Sequence, residues 1–219
     1  GTRFVMHADM AHYNHTFWDR TWNESLKKFE YVWQTDEDGN ILKDSDGNPI
    51  HKIIKTDPSD EYSLLAYARW AVDTVLQCHL DGVDFDYEGW TSAPALTVIE
   101  EVDKYFGQDG LWPEKLLIID YNSVTPGSNA DKYTDYFVQQ LYSMSKGNSP
   151  SGFTYGHPMN KTVFIDSCGA EAGEDGINGS SIVEYAAWEP PTGRKGGFGA
   201  YYIDYNYMSR SGIPYNELR

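Results

Sequence analysis

The sequence predicts an α/β fold in which parallel strands are joined by crossovers. Short apolar segments alternate with helical segments or long loops along the 219 residues, which is typical of βαβ units. Polar side chains gather where the predicted strands end. A (β/α)8 barrel forms its active face from such ends, and an open doubly wound sheet also binds its ligand there. These polar residues are Glu88, Asn122, Tyr142, Asp166 and Asp204.

The first elements along the chain are a strand, a polar loop and a hairpin. Residues 3–8 read as a short buried strand, and residues 9–22 as a polar, aromatic loop. Two Asp-Gly-Asn turn signals, at 38–40 and 46–48, predict a β-hairpin insertion over 29–55. The aspartates around these turns resemble calcium loops. However, the bidentate Glu of an EF-hand does not follow them, which favours turns.

Helical and strand patterns then alternate to the end of the chain. Residues 57–61 form a helix start with acidic residues in the first turn, and a helix is predicted over 62–80. The other predicted elements are strands over 82–88, 116–122, 137–143, 162–166 and 198–205, helices over 93–106 and 181–188, and a final helix from 214. No Gly-x-Gly-x-x-Gly follows a predicted strand, which argues against a nucleotide cleft.

The segment over 82–88 carries a carboxylate at every second position, namely Asp84, Asp86 and Glu88. In a strand, side chains two residues apart share a face, so the three acids form one column. Burying such a column is costly unless the acids are partnered, which favours an active site over a structural feature. The residues between the acids are apolar or aromatic: Val83, Phe85 and Tyr87.

The composition fits a globular chain with a neutral ligand. The net charge is −16, from 17 basic and 33 acidic residues, which argues against nucleic acid and anionic membrane surfaces as partners. Aromatic residues make up 15% of the chain; their rings stack well on sugars and also fill cores. No run of 18 apolar residues predicts a membrane span.

Neither the cysteines nor the histidines form a metal-binding pattern. Cys78 and Cys168 lack zinc-ligand spacing and lie by apolar segments, so we expect buried free thiols. The histidines at 7, 12 and 15 are irregularly spaced and have no supporting carboxylate pattern. We therefore expect no metal and no cofactor, and a metal-binding module built on these histidines is the least favoured function.

The segment Asp81-Gly82-Val83-Asp84-Phe85-Asp86-Tyr87-Glu88 resembles the Asp-x-x-Asp-x-Asp-x-Glu signature of family 18 glycoside hydrolases. These are chitinases and endo-β-N-acetylglucosaminidases on a (β/α)8 TIM barrel, with this motif on the fourth strand. The remaining matches are more similar to the endo-β-N-acetylglucosaminidases. They are Tyr121-Asn122, Gln140-x-Tyr142 and Tyr205-Asn206, in the order of the fifth, sixth and eighth strands.

This resemblance implies one catalytic barrel domain over 1–219. Counting back from the motif makes residues 3–8 the third strand, so the first two β/α units are absent from the sequence. A barrel of six strands would leave two open edges. We therefore expect either a fragment of a larger protein or a member with a reduced barrel.

The column supplies the predicted catalytic residues. Glu88 lies nearest the open end, so we predict that it is the general acid. Asp86 is too close to act as a base across the sugar. The resemblance instead implies that the 2-acetamido group of the substrate attacks the anomeric carbon, that Asp86 orients this group, and that Asp84 shares a proton with Asp86. Asp81 is expected to be structural, and Tyr142 to bind the acetamido carbonyl.

The other candidates are substrate contacts. Gln140 shares a strand face with Tyr142. Of Tyr121 and Asn122 only one can face inward, and Asn122 is favoured. Trp90 and Trp188 are candidate sugar platforms, with core packing as the alternative, and Asp204 is a further candidate contact.

The resemblance thus implies an enzyme that cleaves the chitobiose core of N-glycans by substrate-assisted retaining catalysis. The expected partner is a glycan with a 2-acetamido sugar, either an N-glycan or a chitin oligomer. One alternative is a chitinase of the same family, and another is a catalytically inactive glycan-binding protein. Because glycoproteins and chitin are met outside the cytoplasm, we expect a secreted, periplasmic or cell-surface location.

Overall fold

A computed structural model of the chain describes residues 1–142, 150, 154–167 and 181–201. Its centre is a parallel sheet to which six strands contribute within those residues. The strands are β1 (Val5–Asp9), β6 (Gly82–Tyr87), β7 (Leu116–Tyr121), β8 (Tyr136–Gln140), β9 (Thr162–Ser167) and β10 (Gly197–Tyr201). Asp204, Cys168 and the helix predicted from 214 lie outside the described residues.

The strands of this sheet follow one another in chain order, β1-β6-β7-β8-β9-β10, and every neighbouring pair is parallel. A doubly wound sheet reverses its strand order at a switch point, and no such reversal occurs among the described strands. The sheet is therefore the barrel type, as the family resemblance implies. Within the described residues, the predicted strand positions are confirmed to within a few residues. Residue 143, residues 202–205 and the Tyr205-Asn206 match lie outside the described residues.

Three helices connect the described strands: α1 (Glu61–Gln77), α2 (Ser92–Phe106) and α3 (Ile182–Ala187). The helix start predicted over 57–61 is confirmed, since the Asp60 side chain accepts a hydrogen bond from the Tyr62 N–H and caps α1. Helix α1 ends before the predicted Leu80. The reason is His79, whose φ of 54° breaks the helical path and lets the Leu80 N–H bond to the Val75 carbonyl.

Between β1 and α1 the chain forms an antiparallel arm over residues 16–55. Strand β2 (Thr16–Trp18) pairs with β5 (Ile53–Lys55), and β3 (Arg20–Asn23) pairs with β4 (Lys28–Tyr31). The loop predicted over 9–22 is thus wrong in part, because it contains β2 and β3. Their aromatic side chains pack on α1 and α2: Phe17 lies against Trp70, and Trp22 against Tyr105.

Both Asp-Gly-Asn segments of the arm form the tight turns predicted for them. In the first, the Asp36 carboxylate accepts hydrogen bonds from the Asp38 and Asn40 N–H groups. Asp44 does the same in the second turn, with Asp46 and Asn48. In both turns the backbone donors bond to Oδ1, and the Asn side chain donates to Oδ2. These local hydrogen bonds explain the repeated Asp-x-Asp-Gly-Asn sequence.

Among the described residues, helices α1 and α2 pack on one face of the sheet. Along β6, Val83, Phe85 and Tyr87 are buried in the main core between the sheet and α1 and α2. The alternate side chains, Asp84 and Asp86, point to the opposite face, which in a barrel is the interior. The core thereby positions the acidic column.

Candidate active site

The acidic column lies on the interior face of β6. The side chains of Asp84 and Asp86 are 16% and 22% exposed, and Glu88 is exposed just beyond the end of the strand. The alternation predicted from the sequence is confirmed. The column therefore begins with the partly buried Asp84 and ends with the exposed Glu88. Glu88 lies at the carboxyl edge of the sheet, where barrel enzymes bind their substrates.

Two glycines let the backbone of this segment approach its neighbours. A Cβ on Gly82 would lie 2.2 Å from the carbonyl oxygen of Leu116, and one on Gly89 would lie 2.2 Å from that of Ala11. A side chain at Gly82 would push β6 away from β7, and one at Gly89 would push the segment after β6 away from Ala11. Gly89 thus explains how the chain turns directly after Glu88 while its N–H and that of Trp90 bond to the Met10 carbonyl.

The pKa of Glu88 is raised. Partial burial is the largest cause, followed by the negative charges of Asp86 and Asp9, while the histidines at 12 and 7 act in the opposite direction. This agrees with the role of general acid predicted for it. A carboxyl group that keeps its proton above its usual range is suited to donate that proton to a leaving group.

Asp120 on β7 joins the column and was missed as a candidate in the sequence. Strand register places Asp86 beside Asp9 of β1 on one side and beside Asp120 of β7 on the other. Asp120 is only 8% exposed. Burial, with the charges of Asp84 and Asp86, raises its pKa to about 8. At neutral pH the Asp120 carboxyl group is therefore mainly protonated.

The signal for Asp120 was present in the sequence. In Asp120-Tyr121-Asn122 two polar side chains flank an aromatic one at the end of an apolar strand, as Asp86 and Glu88 flank Tyr87. The period of two puts Asp120 and Asn122 on the face of the acids.

The raised pKa of Asp120 predicts how the free energy of unfolding changes with pH. Its pKa is about 8 in the folded chain against a reference value of 3.8, so the folded state binds more protons than the unfolded state between these values. The contribution of Asp120 to stability is then fully present below about pH 4 and is lost as the pH rises towards 8. Asp120→Asn is expected to raise the free energy of unfolding by on the order of 5 kcal/mol at pH 8, and to change it little at pH 4.

Urea denaturation of both chains at pH 4, 6 and 8 measures this difference. Asp109→Asn, at an exposed aspartate, is the control and should follow the original chain at every pH. If Asp120→Asn and the original chain lost stability in parallel between pH 4 and 8, the protonated state of Asp120 would be refuted.

The predicted contacts from β8 lie on the same face as the acids. Gln140 is buried, and its Nε2 donates a hydrogen bond of 3.1 Å to Oδ1 of Asp86. Tyr142 stacks on Tyr201 with ring centroids 5.0 Å apart. Burial and nearby negative charges, first that of Asp120, raise the pKa of the Tyr142 phenol, so its hydroxyl remains a hydrogen-bond donor.

On β7 the structure separates Asn122 from Tyr121. Asn122 lies at the carboxyl edge beyond the strand, where its Nδ2 donates to the Gln140 carbonyl. Tyr121 is fully buried on the helix side, against Phe137 and with its hydroxyl donating to the Thr154 carbonyl. Tyr121 is therefore a core residue, and its prediction as a substrate contact is wrong.

The two tryptophans predicted as sugar platforms lie in packed positions. Trp90 is 2% exposed and packs between Tyr13, with centroids 4.5 Å apart, and Tyr67, at 5.4 Å. Neither face of its ring is open, so the alternative of core packing is confirmed for Trp90. Trp188 packs against Phe164 in the small core on the helix side of β9, away from the acidic column.

The remaining predicted residues have structural positions. Asp81 joins the starts of β1 and β6: its carboxylate accepts hydrogen bonds from the Phe4 N–H and from Arg3, at 2.8 and 3.1 Å. These contacts, with the backbone hydrogen bond first, lower the pKa of Asp81. Cys78 is a free thiol at the end of α1 and is exposed, so its predicted burial is wrong.

The histidines near the site contact carboxylates. His12 Nδ1 and His15 Nε2 each lie 3.8 Å from Oδ2 of Asp9, and His7 contacts the column. Across the described ranges, no cluster of three His, Cys, Asp or Glu side chains is arranged to hold a metal ion. Within the same ranges, no helix combines the length and apolar character that a membrane span requires.

Comparison with known proteins identifies a sequence family. The endo-beta-N-acetylglucosaminidase EndoS TIM-barrel domain matches residues 7–199, which include every described site residue. A search of curated proteins gives no match.

Solved structures share the fold. The apo endo-beta-N-acetylglucosaminidase from Cordyceps militaris matches with a TM-score of 0.56 and 22% identity, over 72% of this chain and 59% of that one. A mutant of the same enzyme in complex with fucosyl-N-acetylglucosamine-Asn matches with a TM-score of 0.53 and 23% identity, over 74% and 59%. The chain thus spans about 59% of the length of these structures.

Proposed function

The chain belongs to the family of the endo-beta-N-acetylglucosaminidase EndoS TIM-barrel domain, and from this membership we propose that it is a glycoside hydrolase acting on N-glycans. The proposed reaction cleaves the β-1,4 bond between the two N-acetylglucosamines of the core. The observation that carries the proposal is the column of Asp84, Asp86 and Glu88, with an open acid of raised pKa at its end.

Glu88 is the general acid in this proposal. Its proton goes to the glycosidic oxygen as the bond between that oxygen and the anomeric carbon breaks. Glu88 is suited to this step because it is the most exposed member of the column and holds its proton above its usual pH range. The resulting carboxylate can then accept a proton from the water that completes hydrolysis.

The nucleophile is the carbonyl oxygen of the substrate's 2-acetamido group. Asp86 is adjacent to Glu88 in the column, so it is too close to the acid to act from the opposite side of the sugar. The acetamido oxygen bonds to the anomeric carbon and forms an oxazolinium ion, which water then opens with retention of configuration. The Asp86 carboxylate accepts a hydrogen bond from the acetamido N–H and stabilises the positive charge of the oxazolinium ion.

Neighbouring side chains hold Asp86 and the acetamido group in place. Gln140 donates to Oδ1 of Asp86, and Asp84 lies below it in the column. Tyr142, whose phenol remains protonated, donates a hydrogen bond to the acetamido carbonyl as the ring closes. The substrate class is thereby restricted to sugars with a 2-acetamido group.

Mass spectrometry of a treated glycoprotein tests the proposal. A high-mannose and a complex N-glycoprotein are incubated with the full chain, and chitin oligomers are treated in parallel. We expect the treated glycoprotein to keep one N-acetylglucosamine at each cleaved site. Glycoprotein incubated without the enzyme should keep its whole glycan. Release of chitobiose from the oligomers alone would identify a chitinase instead. Binding of glycan without any cleavage would indicate an inactive glycan-binding protein.

The same substrate class suggests where the protein acts. Because N-glycoproteins are met outside the cytoplasm, we propose that the chain acts in a secreted, periplasmic or cell-surface location. Immunodetection in fractions of the producing cells would place it, and recovery only in the cytoplasmic fraction would contradict this part of the proposal.

A further inference from the structure

We infer that His7 is a positioning residue of the acidic column, holding Asp84 and Asp86 through its two ring nitrogens and carrying a positive charge between them. This role rests on the proposed function, because it concerns the carboxylate that binds the acetamido group. His7 Nδ1 lies 3.3 Å from Oδ2 of Asp84, and Nε2 lies 3.5 Å from Oδ2 of Asp86.

Strand register explains how one ring contacts two carboxylates. Strands β1 and β6 are parallel, with His7 opposite Asp84 and Asp9 opposite Asp86. Opposite residues of neighbouring strands point to the same face. The His7 ring extends along this face towards the next residue pair, so its two nitrogens meet successive acids of the column.

The titratable groups around His7 are mostly carboxyl groups. Asp84, Asp86 and, beyond the strand end, Glu88 face it from β6; Asp120, which is mainly protonated at neutral pH, faces it from β7; and Asp9 follows on its own strand. His12 and His15, each 3.8 Å from Asp9, are nearby basic side chains among the described contacts.

His7 is held in its charged form by this environment. Hydrogen bonds to Asp84 first and then Asp86 raise the pKa of His7 to about 10, against the opposing effect of its partial burial. At neutral pH both ring nitrogens therefore carry protons, and each donates to a carboxylate. A neutral imidazole could donate to only one of the two.

The consequence concerns the orientation of Asp86. Its Oδ1 accepts a hydrogen bond from Gln140, and its Oδ2 faces the His7 Nε2 at 3.5 Å, so both oxygens have a donor and the carboxylate is fixed in orientation. Without His7, Oδ2 of Asp86 would lose its partner on β1, and the carboxylate would no longer be held towards the acetamido group.

The variants His7→Gln and His7→Arg test this role. In His7→Gln we expect kcat at pH 6 to fall by about 10- to 100-fold, with KM within about twofold, because the cation and its contact with Asp86 are lost. His7→Arg keeps a positive charge and more than one N–H donor, and it should recover part of the lost kcat. Equal losses of kcat in the two variants would overturn the inference, because a merely structural role predicts that result.

His79→Asn is the matched control. His79 is an exposed histidine with a left-handed backbone conformation that Asn tolerates, and it has no contact with the column. This variant should keep the original kcat. Thermal unfolding of all three variants distinguishes a folding defect from a change at the site.

A second measurement needs no substrate. Titration of the His7 ring by NMR in the original chain, assigned by its loss in His7→Gln, reports the charge directly. A ring that stays protonated through pH 8 supports the inference, and a ring that titrates near 6.5 overturns it. Because this result does not depend on activity, failure of the inference is distinguishable from failure of the proposed function.

Discussion

Replacing Glu88 by Gln is expected to lower kcat on an N-glycoprotein by roughly 10²- to 10⁴-fold. Gln keeps the size and polarity of the side chain but cannot give a proton to the glycosidic oxygen. Because the general acid must be protonated, and because its pKa is raised in the folded chain, the original chain should lose activity as the pH rises through that pKa. Single-turnover rates from pH 4 to 9 measure both effects.

The Glu88→Gln variant should still bind its substrate. Glu88 is exposed at the end of the column, so the loss of its proton does not disturb the packing of β6, and the glycan affinity should change little. Substrates with a better leaving group need less protonation and should recover part of the lost rate. Unchanged turnover of the glycoprotein by Glu88→Gln would refute the proposed mechanism.

Replacing Asp86 by Asn is expected to lower kcat by about 10²- to 10³-fold. Asn has the shape of Asp but no negative charge, so it cannot stabilise the oxazolinium ion, and its amide can present a donor where the acetamido N–H needs an acceptor. The effect should appear in kcat more than in KM, because the positive charge develops only as the ring closes. Steady-state kinetics on a released, labelled glycan separate these two constants.

Asp81→Asn is the matched control for Asp86→Asn. Both residues belong to the same sequence motif, but Asp81 contacts Arg3 and the Phe4 N–H at the far end of the strand. The control should keep its kcat and lose some thermal stability. Equal losses of kcat in the two variants would mean that the motif acts through folding, and the assignment of Asp86 would fail.

Most of the fold was predictable because its signals are local. The period of two in β6 follows from the pleat of a strand, and it correctly separated the acids from Val83, Phe85 and Tyr87. The helix start at Asp60 and the Asp-Gly-Asn turns depend on side chains within a few residues of the backbone they bond. The parallel order follows from alternating strands and crossovers.

Packing was harder to predict, because an aromatic side chain suits a sugar and a core equally well. Trp90 next to the acid is an attractive platform in the sequence, but Tyr13 and Tyr67 occupy its two faces. Tyr13 and Tyr67 are 77 and 23 positions away in the sequence, and only the fold brings them to it. The pairing of β2 and β3 in the arm likewise depends on partners later in the chain.

By itself, the sequence determined the acidic column, its alternation with apolar residues and the parallel direction of the strands. The family resemblance implied a barrel, and the strand order in the structure distinguishes it from a doubly wound sheet. The tertiary structure alone decided what surrounds the column. His7 and Asp120 come from neighbouring strands and lie against Asp84 and Asp86 through register. The physical reason is that alternation within a strand is a local property, whereas the charge on a carboxyl group depends on burial and on every nearby charge, whatever its position in the chain.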